Sequence, residues 1–507
     1  MSVPAVRPRP VFQGEVMMGS DHKRDGAISR RDFTSRIGAA AAGIAVGGEL
    51  FGGRLQAAPS VSRRILGAND RVVVASIGVR GQGNGVKRGF AKLDKVEVKT
   101  LCDIDANLAP ERVNDPALKD VATYKPGFVQ DLHRVLDDKD IDAIIIATPN
   151  HWHALATIRG LQAGKHVYVE KPASHTVWEG RKMVEAAARY NKVVQVGTMN
   201  RSKPAVRDAI KFVHEGGIGK VYMARGLCYK RRASIGKYPD GPMGPDESYK
   251  LNVESARPEP PYTGQYLSKV DYDMWLGPAP KRPFNRNRFH YNWHWHWDYG
   301  NGDSGNQGPH QFDIARWGLN KQEHPRKIQS AGGYFGPEAS QETPDTQTSL
   351  FEYADGTILE FATRGEFTND DGGQRIGNLF YGTKGWLWID GESGAKWQSY
   401  FGTKNEKGPG ADGSAEPAEG TAAAAVEYPH YQNFIDAVRA GDPKILNCDI
   451  VEGHYTSTLP HLGNIAYLVG HGLVFDGTKE AFVDDKKADV LLTREYRKGF
   501  EIPTSFT

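Results

Sequence analysis

The 507 residues carry 39% hydrophobic and 25% charged side chains, a composition that fits one or two packed cores and excludes a disordered chain. The net charge of +3 comes from the N-terminus, where the first 57 residues hold 8 Lys/Arg against 5 Asp/Glu and leave 56 of each sign beyond them. So balanced a body lacks the basic excess of a general nucleic-acid or membrane-surface binder, and three widely spaced cysteines, Cys102, Cys228 and Cys448, give neither a disulfide framework nor a zinc knuckle.

The chain begins with a targeting pattern. "SRRDF" places Arg30 and Arg31 before the small, weakly apolar run "IGAAAAGIAVGG", and "LQAAPS" follows as a cleavage-site pattern near Ala57 or Ala58. Paired arginines in that position point to the twin-arginine pathway, so residues 1–58 are expected to be a leader and the protein periplasmic or secreted. No run of about 20 strongly apolar residues suggests membrane insertion.

From residue 68 to 198 apolar strands alternate with helices, the sign of a parallel sheet covered on both faces. "RVVVASIGVRGQGNGVKRGFA" is strand, glycine loop, helix; "VEVKTLCDID" is a second strand; "DAIIIATPNHWHALATIRGLQAGKHVYVEKP" supplies strand, helix and strand. A last helix and strand end near Met199. Strand followed by glycines and a helix is the setting of a dinucleotide fingerprint, in which glycine lets the backbone approach a pyrophosphate at the helix N-terminus. Gly78 and Gly83 fit the ends of that fingerprint, while Arg80 and Gly81 occupy its middle. Asp103 closes the second strand, where a carboxylate accepts from ribose hydroxyls and repels a 2′-phosphate, so NAD is favoured over NADP.

Residues 199–475 change character. A helix over 205–215 and the strand "KVYMARGLCY" lead into a long surface loop ending near 267. Short alternating strands from "QSAGGYFG" to "GWLWIDG" favour an antiparallel sheet, residues 403–425 read as a flexible loop, and helices return in "YQNFIDAVRAG" and "LPHLGNIAYLVG". Residues 476–507 read as a tail on the body. In "FHYNWHWHWDYGNGDSGNQGPH", an extended backbone would put Trp293, Trp295 and Trp297 on one face and His294 and His296 on the other. Such a segment suits sugar recognition; a packed core with satisfied histidines, or a metal site on His294 and His296 that lacks an evident third ligand, are the rivals, and no metal is expected.

Taken in order, the glycine loop, Asp103, "ATPNHWHALATIRGLQAGKHVYVEKP" and "GPHQFDIARW" resemble the glucose–fructose oxidoreductase and inositol dehydrogenase family (Gfo/Idh/MocA) over about residues 70–500. The resemblance implies an α/β chain: an N-terminal Rossmann doubly wound parallel sheet, then an α+β domain with a large, mostly antiparallel open sheet that commonly builds homodimers or homotetramers. It implies that Lys171 reaches the substrate oxygen beside the nicotinamide, that Thr148, Pro149, Asn150, His153 and Glu170 belong to the cofactor site, and that His310 is the general base. Where the family's D-x-x-x-H motif has aspartate, this chain has Asn306, an amide that cannot take a proton. Trp152, Trp293, His294, His296 and Asp313 are candidate substrate contacts, although Asp313 also suits a helix anchor. The implied activity is oxidation of a sugar hydroxyl with tightly held NAD. The alternatives are an NAD-dependent glycoside hydrolase using transient oxidation and elimination, and a non-catalytic sugar-binding protein of the same fold.

Overall fold

The computed structural model describes residues 71–116, 125–244, 248–249, 262–413 and 422–506. The leader expected over 1–58, and parts of the loops expected before 267 and over 403–425, lie outside the described residues.

The first layer is a six-stranded sheet in the order β3-β2-β1-β4-β5-β6. Its strands are β1 (Val72–Ile77), β2 (Val96–Cys102), β3 (Gly127–Val129), β4 (Ala143–Ile146), β5 (His166–Val169) and β6 (Val194–Val196), and every described pairing is parallel. Parallel strands need crossovers, here α1 (Gly81–Ala91), α2 (Leu132–Asp137), α3 (Asn150–Gln162) and α4 (Val177–Tyr190). Because helices cover both faces, β1 and β4 are buried at every residue, which is why their sequences are apolar throughout. Two apolar clusters, one per face, hold this layer together, the first around Ile144, Leu155 and Val167 and the second around Val74, Phe90 and Tyr168.

The second layer is a ten-stranded sheet, β16-β15-β14-β13-β7-β12-β11-β10-β17-β18. It comprises β7 (Val221–Cys228), β10 (Lys327–Gly333), β11 (Thr346–Glu352), β12 (Ile358–Arg364), β13 (Ile376–Gly382), β14 (Gly385–Asp390), β15 (Trp397–Phe401), β16 (Glu406–Ala411), β17 (Leu473–Asp476) and β18 (Ala481–Phe482). The short pair β8 (Ser248–Tyr249) and β9 (Tyr262–Thr263) stands apart. The expected antiparallel pattern holds except at the centre, where β7 runs parallel to β12 after a connection of more than a hundred residues. One face is covered by α5 (Pro204–His214), α6 (Gly308–Gly318) and α8 (Ile450–Val469), with α7 (Ala422–Ala440) between them in sequence. The core there gathers Phe312, Phe351, Phe361, Phe380 and Leu462. No helix among the described residues is long and apolar enough to cross a membrane.

The aromatic segment departs from its expected form. His290–Trp295 winds into a 3-10 turn rather than an extended strand, so the proposed two-faced alternation of Trp and His does not exist. His290 adopts φ +50°, and Trp295 is buried under the Arg232 guanidinium, 5.3 Å from its ring centroid. The hydrogen bonds of this stretch go to the turn itself and to neighbouring loops, leaving no strand edge for it to join.

Candidate active site

Strand register fixes the floor of the site. Cys102, Ile77, Ile146 and Val169 pair level with one another across β2, β1, β4 and β5. Asp103, Gly78, Thr148 and Lys171 follow at the carboxyl ends of those strands, the edge at which open α/β sheets bind ligands. They line one cavity of about 700 Å³, whose other wall comes from residues 274–275 and 290–294 and from the start of α6.

At one end sits the glycine loop. Gly78 has φ +79°, and a Cβ there would lie 2.6 Å from the Ala147 carbonyl oxygen, so only glycine fits. A Cβ on Gly83 would lie 1.9 Å from the Gly78 carbonyl oxygen; this residue is outside the cavity lining and sets how closely α1 packs on the loop. Arg80 caps α1 and, with Gly81, faces the cavity. Asp103 accepts from the Val79 N–H at 2.8 Å and the Asp105 N–H at 3.1 Å. Burial pushes its pKa up to about 6, against the pull of those two backbone donors.

Pro149 starts α3, and the Thr148 hydroxyl and Asn150 amide oxygen are buried beside the cavity without a hydrogen-bond partner among the described residues. Unsatisfied buried polar atoms in native structures call for a ligand or water. With the glycine cradle, a helix N-terminus and a carboxylate at the end of β2, this donor and acceptor set fits a dinucleotide: Arg80 and α1 toward the pyrophosphate, Asp103 toward the adenosine ribose, Thr148 to Asn150 along the nicotinamide half.

The opposite end is where "EKP" is delivered. The Lys171–Pro172 peptide is cis, and the Lys171 ammonium donates to the Asn306 backbone carbonyl at 2.8 Å. Burial lowers the Lys171 pKa, with the Glu170 carboxylate opposing. Glu170 also lines the cavity, its Oε1 so near Gly197 that a Cβ there would be 2.8 Å away. His153 stands between two loops, Nδ1 at 2.7 Å from the Pro172 carbonyl and Nε2 at 2.8 Å from that of Thr148. From α6 comes His310, its Nδ1 buried without a partner among the described residues and its pKa driven well below the ordinary imidazole value by burial and then by Lys171. Asn306 therefore meets this end of the cavity through its backbone oxygen as well as its position one turn before His310.

Trp152, Trp293 and His294 line the same cavity. Trp152 is tethered by Nε1 to the Met274 and Trp275 carbonyls at 3.0 and 3.1 Å. His296 and Asp313 do not line it. The His296 ring donates from Nε2 to the Asn287 carbonyl at 3.0 Å, and Asp313, fully buried, accepts from Arg201 at 2.7 Å and Thr456 at 2.8 Å. The anchoring reading of Asp313 is the one its surroundings match. Met274, Trp275 and Tyr291, which the sequence reading did not single out, contribute wall. Only Tyr291 carried a signal, its place in the aromatic run.

Among the described residues one group could hold a cation elsewhere: His324, His454 and Glu480. The Glu480 Oε1 already takes hydrogen bonds from His324 Nε2 at 2.9 Å and His454 Nε2 at 2.7 Å, and Arg181 pairs with the same carboxylate. Three donors therefore already occupy the carboxylate, while the Nδ1 atoms of both histidines are buried without a partner among the described residues.

Two family models match the chain: "Oxidoreductase family, NAD-binding Rossmann fold" over residues 72–198, and "Oxidoreductase family, C-terminal alpha/beta domain" over 263–385 and 417–502. Among curated relatives, a protein named glycosyl hydrolase family 109 protein from Shewanella pealeana is 36% identical over 174 residues, 32% of this chain and 38% of the relative. A levoglucosan dehydrogenase from Pseudarthrobacter phenanthrenivorans is 39% identical over 115 residues, 22% of this chain and 30% of that one. The matched segments thus span well under half the length of these curated relatives. A solved levoglucosan dehydrogenase in complex with NADH and levoglucosan shares the fold, with a TM-score of 0.57 and 20% identity over 82% of this chain and 100% of that chain.

Proposed function

The chain belongs to the Gfo/Idh/MocA oxidoreductase family, with its NAD-binding Rossmann domain at residues 72–198, and on that premise we propose that it oxidises a hydroxyl of a sugar or sugar derivative using tightly held NAD. The observation that carries this reading is the convergence of Lys171 and His310 on the end of the cavity opposite Asp103 and the glycine loop. NAD, when bound, supplies the hydride acceptor. Lys171 donates to the reacting oxygen and stabilises negative charge as it develops there, the kind of term that contributes most when the donor is preorganised and shielded from water. His310 takes the hydroxyl proton, because its ring is the group at that end whose hydrogen the protein leaves unassigned. Asn306 holds Lys171 in place through its carbonyl.

The walls from residues 274–275 and 290–294 support retention of the cofactor, since they close the cavity across from the carboxyl ends of the strands. The paired arginines at 30 and 31 support export by the twin-arginine pathway, which suits a protein that must leave the cytoplasm with a cofactor inside. The partly exposed Trp386, Trp388 and Tyr400 on the uncovered face of the ten-stranded sheet support a homodimer or homotetramer built on that face.

The second reading is redox-neutral glycoside hydrolysis through transient oxidation, supported by the 36% identity to the Shewanella pealeana relative. One experiment separates them. Protein purified without added nucleotide is denatured and its NAD(H) quantified, and the intact protein is followed at the NADH absorbance with a panel of sugars and aryl glycosides. Stoichiometric NAD lastingly reduced by a sugar fits the dehydrogenase. Aglycone release without lasting reduction fits the hydrolase. Absence of bound dinucleotide sinks the tight-cofactor reading, and intact function in Lys171→Ala would leave a binding protein.

A further inference from the structure

Among the imidazoles at the reaction end, His294 has its tautomer set by the chain. Its Nδ1 lies 2.6 Å from the Tyr291 carbonyl. A carbonyl oxygen only accepts, so Nδ1 carries the hydrogen and, in the neutral ring, Nε2 carries a lone pair. Nε2 makes no hydrogen bond to another described residue, is not among the buried partnerless atoms, and belongs to a side chain that lines the cavity. It therefore opens toward the ligand. The ring is held in plane by Trp293, stacked with centroids 3.6 Å apart and planes 21° apart. Burial, then the nearby charges of Lys171 and Arg232, lower its pKa to about 3 against the Tyr291 hydrogen bond, so the lone pair is available at any working pH. The turn that carries it is clamped from outside, by Arg232 over Trp295 at 5.3 Å, with the guanidinium itself fixed by Asp303 at 2.8 Å.

The three polar groups thus divide their work. Lys171 donates and His310 exchanges a proton, which together satisfy one reacting oxygen. His294 offers a fixed acceptor that this oxygen, once deprotonated, cannot use. We infer that His294 is a specificity-determining residue: its Nε2 accepts a hydrogen bond from a hydroxyl on the carbon next to the one oxidised, so the site takes vicinal diols whose second hydroxyl is free. This rests on the sugar-oxidation reading above. A site built to bond a hydroxyl discriminates strongly against the analogue lacking it, because its own polar group is left unpaired.

The test offers the holoenzyme methyl β-D-glucopyranoside, levoglucosan and myo-inositol, and compares whichever reduces the bound NAD fastest with its monodeoxy analogues. In the wild type, deleting one hydroxyl beside the reacting carbon should lower kcat/KM by about 100-fold or more. His294→Phe, which keeps a ring against Trp293, should lower kcat/KM for the parent sugar and bring the parent-to-deoxy ratio near one. His294→Gln, whose amide oxygen accepts, should recover part of the ratio. Quenching of tryptophan fluorescence gives the same ratios as binding constants, and bound NAD content reports that the variants fold. An unchanged ratio in His294→Phe, with both sugars slowed equally, overturns the inference, as does a wild type for which no single hydroxyl carries such a penalty. If no sugar reduces the wild-type cofactor, the oxidation reading itself fails and the inference falls with it.

Discussion

Helix α6 carries two polar residues one turn apart with opposite surroundings. His310 faces the cavity with a buried nitrogen that no described residue satisfies, whereas Asp313 is enclosed by Arg201 and Thr456. Around Asp313 the pairing continues, since Glu452 bonds Arg201 at 3.1 Å and also pairs with Arg316. The lesson is that burial and charge do not separate a working group from a structural one here. Saturation separates these two: both Asp313 oxygens are occupied, and the His310 Nδ1 is not.

The largest effect should come from breaking the saturated side. Asp313→Ala takes from the buried Arg201 guanidinium its nearer carboxylate and leaves it only Glu452, and breaking a buried pair costs up to about 3–5 kcal/mol. Urea unfolding should show that loss while KM of the folded enzyme stays near wild type; a raised KM with unchanged stability would place Asp313 in the site after all. On the unsaturated side, Lys171→Met should lower the rate of cofactor reduction by about 10²–10³-fold, the scale of losing one preorganised donor to a developing alkoxide, with NAD content retained.

Asp103 lies between the two classes, with two backbone donors on it and a face on the cavity. Its pKa, raised by burial to about 6, makes it a full acceptor only above that pH. NAD retention should weaken as pH falls through about 6, by up to about tenfold per unit, measured as dissociation rates at pH 5 and pH 8. The sign for folding is opposite. A carboxyl whose folded pKa exceeds the unfolded value of about 3.9 favours the native state at low pH, and that contribution is lost as pH rises from about 4 to about 6. The smallest effect is expected at Thr148, whose hydroxyl is buried and partnerless. Thr148→Val should leave thermal stability of the NAD-free protein within about 1 kcal/mol of wild type or raise it, while weakening NAD retention.

Much of the first layer was legible because parallel strands buried on both faces cannot avoid apolar runs, and because Gly78, Asp103 and Lys171 each sit at the end of such a run. The antiparallel sheet was legible as alternation, but its one parallel pairing was not, since β7 and β12 lie more than a hundred residues apart and alternation within a strand does not name its partner. The Trp and His segment misled for a related reason. Alternating residue types imply a two-faced strand only if the backbone is extended, and nothing in "HYNWHW" encodes the φ +50° at His290 that begins its turn. The wall at Met274 and Trp275 was invisible because its contribution depends on a contact with Trp152, 122 residues away in sequence.

The level pairing of Cys102, Ile77, Ile146 and Val169 has a metric consequence. Strands in a sheet stand about 4.8 Å apart, so the three intervals from β2 to β5 place the backbones that carry Asp103 and Lys171 about 14 Å apart. That length belongs to the backbone ladder and to no side chain. Helices α1 to α4 can change in sequence and the loops can lengthen, yet the sheet keeps the same measure between the two ends of the bound molecule, a ruler graduated in strands.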